Sequence, residues 1–101
     1  MNVCVISGEL ESNAIVRGKE KKVLVFIVAT KAANGDAEVS VSHVPCVVFN
    51  PSEDLQQLLT TQGKGKRVEF QGRVQSSRFD AGSEPRSNAE VVVYTKTLRI
   101  S

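Results

Sequence analysis

Five short apolar runs punctuate the chain, at residues 3–6, 23–29, 39–49, 68–74 and 91–100. The runs are rich in β-branched residues, and turn-forming residues separate them, which is typical of closely spaced strands. The pattern of hydrophobic and polar positions therefore predicts five strands, arranged in an all-β barrel or sandwich.

The segment at residues 64–79, KGKRVEFQGRVQSSRF, shows the alternation most clearly. Val68, Phe70 and Val74 fall on one side of an extended chain. The polar residues between them fall on the other side, namely Glu69, Gln71, Arg73 and Gln75. This period of two predicts a strand with one packed face and one free face. Gly72 within the strand favours a bulge or a bend, so we expect a curled sheet.

The connections between the runs predict a hairpin and a helix. Asn34-Gly35 is typical of a hairpin turn with positive φ at both central residues, so strands two and three should pair antiparallel. After strand three, the expected helix has Asn50 as N-cap, Pro51 as its first residue and Glu53 in a capping box, with Gly63 beyond its last turn. Its apolar stripe is short and consists of Leu55, Leu58 and Leu59.

The order of these elements is that of an OB-fold, a five-stranded barrel with one short helix between strands three and four. The helix is expected to cover one end of the barrel. Residues 76–89 contain Ser, Gly and Pro and are predicted to form a long loop between the last two strands. Long loops in compact domains are often functional or mobile. With 101 residues, the chain is expected to be one domain over residues 1–101.

Charge changes this picture through its distribution, because the net charge is only +2. One basic cluster comprises Arg17, Lys19, Lys21 and Lys22, and a second comprises Lys64, Lys66, Arg67, Arg73 and Arg78. Such clusters are typical of surfaces that bind polyanions, although the first is equally typical of ordinary solvated loops.

No catalytic, metal or cofactor site is predicted, and we do not expect an enzyme. Cys4 and Cys46 lie in apolar runs and are interpreted as buried small side chains rather than a disulfide or metal ligands. The carboxylates are scattered, and no glycine-rich phosphate loop follows a strand. The first residues lack a charged leader and no run approaches membrane-spanning length, so we expect a cytoplasmic protein without membrane contact.

In order and spacing, five stretches of the chain resemble the bacterial single-stranded DNA-binding protein family, including its small relative primosomal replication protein N. The stretches are MNVCVISGEL, VFIVAT, HVPCVVFN, KGKRVEFQGRVQSSRF and EVVVYTKTLRI, and they span nearly the whole chain. The resemblance implies sequence-independent binding of single-stranded DNA in replication, replication restart or recombination. The alternative is a primosome-type module that docks on other replication proteins and binds DNA weakly.

Site residues follow from the resemblance. Phe49 and Phe79 match positions at which the family stacks bases on aromatic rings, and such stacking contributes about 1–3 kcal/mol per base. The basic residues expected to hold phosphates are Arg17, Lys21, Lys22, Lys66, Arg67, Arg73 and Arg78.

The remaining rings are interpreted differently. Phe26 and Phe70 are expected in the core, because they lie within apolar patterns. Tyr94 is expected at a solvent edge or a subunit interface, and His43 on the surface near the binding groove.

Two departures from the family pattern bear on these expectations. The chain has no tryptophan, which the family usually has at its stacking positions, so we expect a reduced affinity for single strands. It also stops at Ser101 without the family's acidic, hydrophobic-tipped tail, as the primosomal relative does. The expected partners are single-stranded DNA, further copies of the chain in a homodimer or homotetramer, and replication or restart helicases.

Overall fold

Alternating apolar residues form strands throughout the computed structural model, which describes the backbone of residues 1–33, 39–81 and 84–101 and the side chains of residues 1–31, 40–76 and 89–101. The elements within these ranges are β1 (Cys4–Leu10), β2 (Ile15–Arg17), β3 (Val23–Ala33), β4 (Val39–Phe49), α1 (Glu53–Gln62), β5 (Arg67–Ala81), β6 (Glu84–Val93) and β7 (Arg99–Ile100). A 3-10 turn, Thr95–Thr97, separates β6 from β7.

The five long strands close into a barrel, which confirms the predicted OB-fold. They neighbour one another in the order β1-β3-β4-β6-β5, and β1 also pairs with β5 and so closes the sheet. The short strands β2 and β7 are additions that pair with β3 and β5. The predicted antiparallel pairing of β3 with β4 is also confirmed, from Val23↔Phe49 to Ala33↔Val39. The Asn34-Gly35 turn lies outside the described residues.

Two glycines allow the strands to approach closely where the barrel curls. A Cβ atom on Gly8 would lie 2.2 Å from the carbonyl oxygen of Ala29, and one on Gly72 would lie 2.3 Å from that of Val92. Neither separation is compatible with a side chain, so only glycine fits at these positions. The curled sheet expected from Gly72 is therefore present.

The core fills the barrel, and α1 covers one end of it. Phe26 and Phe70 are 3% and 1% exposed, as predicted, and their rings pack edge to face with centroids 6.4 Å apart. Leu59 of α1 is fully buried in the same cluster. Its carbonyl oxygen accepts a hydrogen bond from the backbone N–H of Ala14 at 2.8 Å, which ties the helix to the segment before β2.

The helix begins two residues later than predicted. Ser52, not Asn50, is the N-cap, and its hydroxyl oxygen accepts a hydrogen bond from the backbone N–H of Leu55 at 3.2 Å. Asn50 instead has φ of 52°, which reverses the chain at the end of β4. Both Asn and Ser are good N-caps, so local preference did not distinguish them. The backbone turn that leads out of β4 decides the start.

The predicted loop at residues 76–89 is wrong. The backbone of β5 and β6 pairs continuously from Ser76↔Ala89 to Ala81↔Glu84, so the two strands form one long hairpin. The polar sequence there is typical of a loop. It occurs in a strand because this part of the hairpin extends beyond the barrel. The ladder between β5 and β1 ends at Gly72.

Two further expectations fail for related reasons. Val74 is 44% exposed rather than part of the core, because β1 pairs with β5 only as far as Gly72 and, among the strands described, β6 alone pairs with it beyond that point. The predicted strand at residues 91–100 is interrupted by the 3-10 turn, in which the Thr97 hydroxyl donates to the carbonyl oxygen of Tyr94 at 2.6 Å. Threonine is typical of strands, so the sequence did not predict that the strand would be interrupted here.

The cysteines behave as buried side chains. Cys46 is fully buried and Cys4 partly so, and both are free. Burial raises the pKa of the Cys46 thiol to about 12, which keeps it neutral and unreactive. No helix among the residues described is long and apolar enough to span a membrane.

Replacing Phe70 by Ala is expected to destabilise the fold by about 3–5 kcal/mol, because it leaves a cavity at the centre of the barrel. Denaturant unfolding of both proteins measures this difference. Phe49→Ala is the matched control, since the Phe49 side chain is 46% exposed and contributes less buried area. Equal losses of stability in the two variants would contradict this assignment of the core.

Candidate nucleic-acid interface

The strand register identifies which side chains share the outer face, by which we mean the face of the barrel wall that points away from the core. Residues directly opposite each other on paired strands project to the same face. Arg17 lies opposite Val23, and Val23 lies opposite Phe49. Cys46 and Val48 are fully buried, whereas Phe49 is 46% exposed, so this row lies on the outer face. An exposed aromatic ring and a guanidinium therefore share one row.

The loop before β3 brings two more predicted residues to this end of the barrel. Lys21 and Lys22 are exposed and directly precede β3. The carbonyl oxygen of Lys22 accepts a hydrogen bond from the backbone N–H of Asn50 at 3.3 Å, which joins this loop to the end of β4. Three cations thus surround the Phe49 end of β4: Arg17, Lys21 and Lys22.

Arg73 belongs to the next row of the outer face. It lies opposite Val92 of β6, which lies opposite Val47 of β4. Val47 is two residues from Phe49, and Arg73 is two strand spacings from Val47, which is about 10 Å across the sheet. The structure therefore brings Arg73 to the same end of the outer face as Phe49.

Arg67 lies in a different place. It is opposite Glu9 of β1, whose other partner is Ala29 of β3, and Ala29 is opposite His43. This row crosses β3 six residues from Val23, a separation of about 20 Å along the strand. Lys66, half-buried, directly precedes Arg67. Neither residue joins the cluster around Phe49, although both predictions remain untested.

Arg78 and Phe79 lie in the hairpin of β5 and β6, opposite Ser87 and Arg86. Their side chains are outside the described residues. Their expected contacts with phosphate and base stay predictions.

Charge is distributed unevenly over the described part of the outer face. The end at the start of β3 carries the cations named above, with the exposed Glu20 next to Lys21. The other end carries Arg67 together with three carboxylates: Glu9 in the row of Arg67, Glu11 in contact with the His43 ring through Nδ1, and Glu90, which accepts a hydrogen bond from the Gln75 amide at 2.8 Å. A polyanion is therefore attracted more strongly to the Phe49 end than to the other.

The sequence analysis missed how apolar the outer face is. Val47 and Val92 are 5% and 6% exposed although they belong to it, and Ile15, Val25 and Ile27 lie beside them. The signal for it is the run VLVFIV, whose residues are apolar at both odd and even positions. A continuous apolar run of this kind indicates a strand that is apolar on both faces, not only on the face towards the core.

Among the residues described, no group of three or more His, Cys, Asp or Glu is placed to hold a metal ion. The His43 ring and the Glu11 carboxylate form an exposed pair. An exposed ring beside an apolar strip and three to four cations is an arrangement that accommodates both the flat and the charged parts of a nucleotide chain.

Comparisons with known proteins agree with this geometry. A solved structure described as a Plasmodium falciparum SSB complex with ssDNA has the same fold, with a TM-score of 0.78 and 19% sequence identity. The match covers 99% of this chain and 92% of that one. No curated protein sequence matches the chain. A model of the Single-strand binding protein family matches residues 1–99, and since this is almost the whole chain, the protein belongs to that family.

Proposed function

We propose that this protein binds single-stranded DNA without sequence preference, across the Phe49 end of its outer face. The observation that carries the proposal is the row Arg17–Val23–Phe49, in which a cation and an exposed ring lie on either side of Val23 on the outer face. Membership of the Single-strand binding protein family supports it.

Stacking on aromatic rings contributes affinity that does not depend on the base sequence of the DNA. Every base has a π-face, so one Phe ring accommodates any of them at about 1–3 kcal/mol per base. Phe49 is presented for this purpose at the end of β4, where the positive φ of Asn50 turns the chain away. In the proposal Phe79 supplies a second ring through the family resemblance.

Cations supply the remaining affinity through the phosphates. Arg17, Lys21, Lys22 and Arg73 are exposed on or beside the Phe49 end of the outer face. In the proposal they form the first phosphate contacts, and Lys66, Arg67 and Arg78 extend the path of a longer strand. Binding a strand there releases its counterions, which makes the affinity depend on salt.

The biological role that we infer is in DNA replication, replication restart or recombination in the cytoplasm, with replication or restart helicases as further partners. A primosome-type docking module is the other candidate. It is favoured by two exposed apolar residues near the start of the chain, Val3 at 56%, just before β1, and Val5 at 66%, within it. Weak binding of DNA together with a stable complex with another replication protein would favour that candidate.

Replacing Phe49 by Ala should weaken oligothymidine binding by about 1–3 kcal/mol, because one base loses its stacking partner. Fluorescence anisotropy of a labelled oligothymidine measures the change. Phe49→Trp is the matched control and should retain or improve binding, since it keeps a ring at this position. If Phe49→Ala binds as well as the unmodified protein, Phe49 does not contact a base.

Rising salt should weaken the same complex steeply, with a log–log slope of about −0.7 for each phosphate contact on a single strand. Arg73→Ala should flatten this slope by about one contact. Arg99→Ala removes the same charge from β7, where Arg99 lies opposite Glu69, and serves as the control. An affinity that is the same at low and high salt would contradict the electrostatic part of the proposal.

We expect a homodimer or homotetramer, because β1 is bonded to β3 only at Glu9 and Leu10 and exposes Val5 beside this edge. Light scattering at micromolar concentration should give a mass of at least two subunits. Val5→Glu should lower it, whereas Val41→Glu, at a site that is 48% exposed on β4, should leave it unchanged. A mass of one subunit for the unmodified protein would contradict the expectation.

A further inference from the structure

Tyr94 follows β6 on the same outer face as Phe49. Val93 is 4% exposed and belongs to the core, so the alternation of the extended chain turns the next side chain outward. The Tyr94 side chain is 39% exposed, and its backbone is extended. The sequence indicated only a solvent edge or a subunit interface for this residue.

The parallel register of β4 and β6 brings Tyr94 to the same end of the outer face as Phe49. Cys46 lies opposite Val91, and Val47 lies opposite Val92, which is the last pair between these strands. Phe49 and Tyr94 each follow this last pair by two residues. The next residues, Asn50 and Thr95, line one depression of about 410 Å³, so the two chain segments stay close.

The backbone of Tyr94 is held at both of its polar groups. Its N–H donates to the carbonyl oxygen of Gln71 at 2.9 Å, and its own carbonyl oxygen accepts from the Thr97 hydroxyl at 2.6 Å and from the Thr97 N–H at 2.9 Å. The Thr97 hydroxyl oxygen in turn accepts from the Gln71 N–H at 2.9 Å. A half-exposed ring on such a fixed backbone is positioned before any ligand arrives, which reduces the entropy lost on binding.

The charges around the ring favour nucleic acid as its ligand. Tyr94 lies at the basic end of the outer face, one row from Arg73, and Lys96 is exposed in the 3-10 turn that follows. One exposed carboxylate, Glu69, lines a depression with Lys96 and Arg99, so cations outnumber carboxylates here. The carboxylates Glu9, Glu11 and Glu90 lie towards the other end. An aromatic ring in mostly basic surroundings suits an anionic chain that carries flat bases.

We propose that Tyr94 is a base-stacking platform next to Phe49, so that neighbouring bases of single-stranded DNA stack on the two rings. This inference rests on the proposed function and adds a contact that neither the sequence nor the family resemblance assigned. It places two of the stacking contacts at the same end of the outer face, one at the end of β4 and one directly after β6.

The composition of the chain supplies a direct test, because Tyr94 is its single tyrosine and there is no tryptophan. Intrinsic tyrosine emission therefore reports on this ring alone. Saturating the unmodified protein with unlabelled oligothymidine should quench the emission, with a midpoint equal to the dissociation constant from anisotropy. Binding by anisotropy without any change in emission would overturn the role of Tyr94 and leave the proposed function intact.

Two substitutions at Tyr94 distinguish the contribution of its aromatic ring from that of its apolar volume. Tyr94→Leu should weaken oligothymidine binding by about 5- to 150-fold, the factor that corresponds to one stacked base. Tyr94→Phe keeps the ring and should bind within about twofold of the unmodified protein. Melting temperature and light scattering of each variant show whether fold and subunit number are preserved.

The outcomes distinguish the two proposals. No binding by the unmodified protein in low salt would overturn the proposed function itself. Binding by the unmodified protein that Tyr94→Leu leaves unchanged would overturn only the stacking role. If Tyr94→Leu lowers the mass measured by light scattering, the ring belongs to a subunit contact, and this also overturns the proposal.

Discussion

The pairing of β1 with β5 is the constraint on which the rest of the structure depends. Six residue pairs, from Cys4↔Gly72 to Glu9↔Arg67, join the first long strand to the fourth and close the sheet. Without this ladder the wall would be an open sheet with two free edges. Closure separates an inner face, which holds Phe26 and Phe70, from an outer face on which Phe49 and Ile27 are exposed. The glycines at positions 8 and 72 make it possible sterically.

Closure also decides which apolar residues remain available for a ligand. In β3 and β4 the residues at odd positions and those at even positions are both largely apolar, but only one of these two sets faces the inside of the barrel. Leu24, Phe26 and Val28 take the inner positions, and Val25 and Ile27 are left on the outer face. The outer set includes Phe49 and extends to Tyr94 through the pairing of β4 with β6. The proposed stacking surface is thus a consequence of strands that are apolar on both sides.

The charge pattern favours one end of the outer face for a polyanion. Cations collect at the start of β3, whereas Glu9 and Glu90 lie towards the opposite end, as does Glu11, which is paired to His43. With a net charge of only +2, the protein has no strong general attraction for polyanions, so the local arrangement has to provide it. A chain without tryptophan has smaller stacking surfaces, and the proposed second ring at Tyr94 would offset this loss.

The sequence by itself determined the all-β class, the five principal strands, the single helix and the core positions of Phe26 and Phe70. These follow from periodicity, because alternation is a local property of the chain. Tertiary structure decided the rest. The start of α1 at Ser52, the pairing across residues 76–89 and the exposure of Val74 depend on which strands are neighbours. The separation of Arg67 from Phe49 and the position of Tyr94 at the same end as Phe49 likewise depend on register between segments distant in sequence. The local pattern indicates which residues of one strand face the core. The pairing of distant strands arises from contacts across the whole barrel.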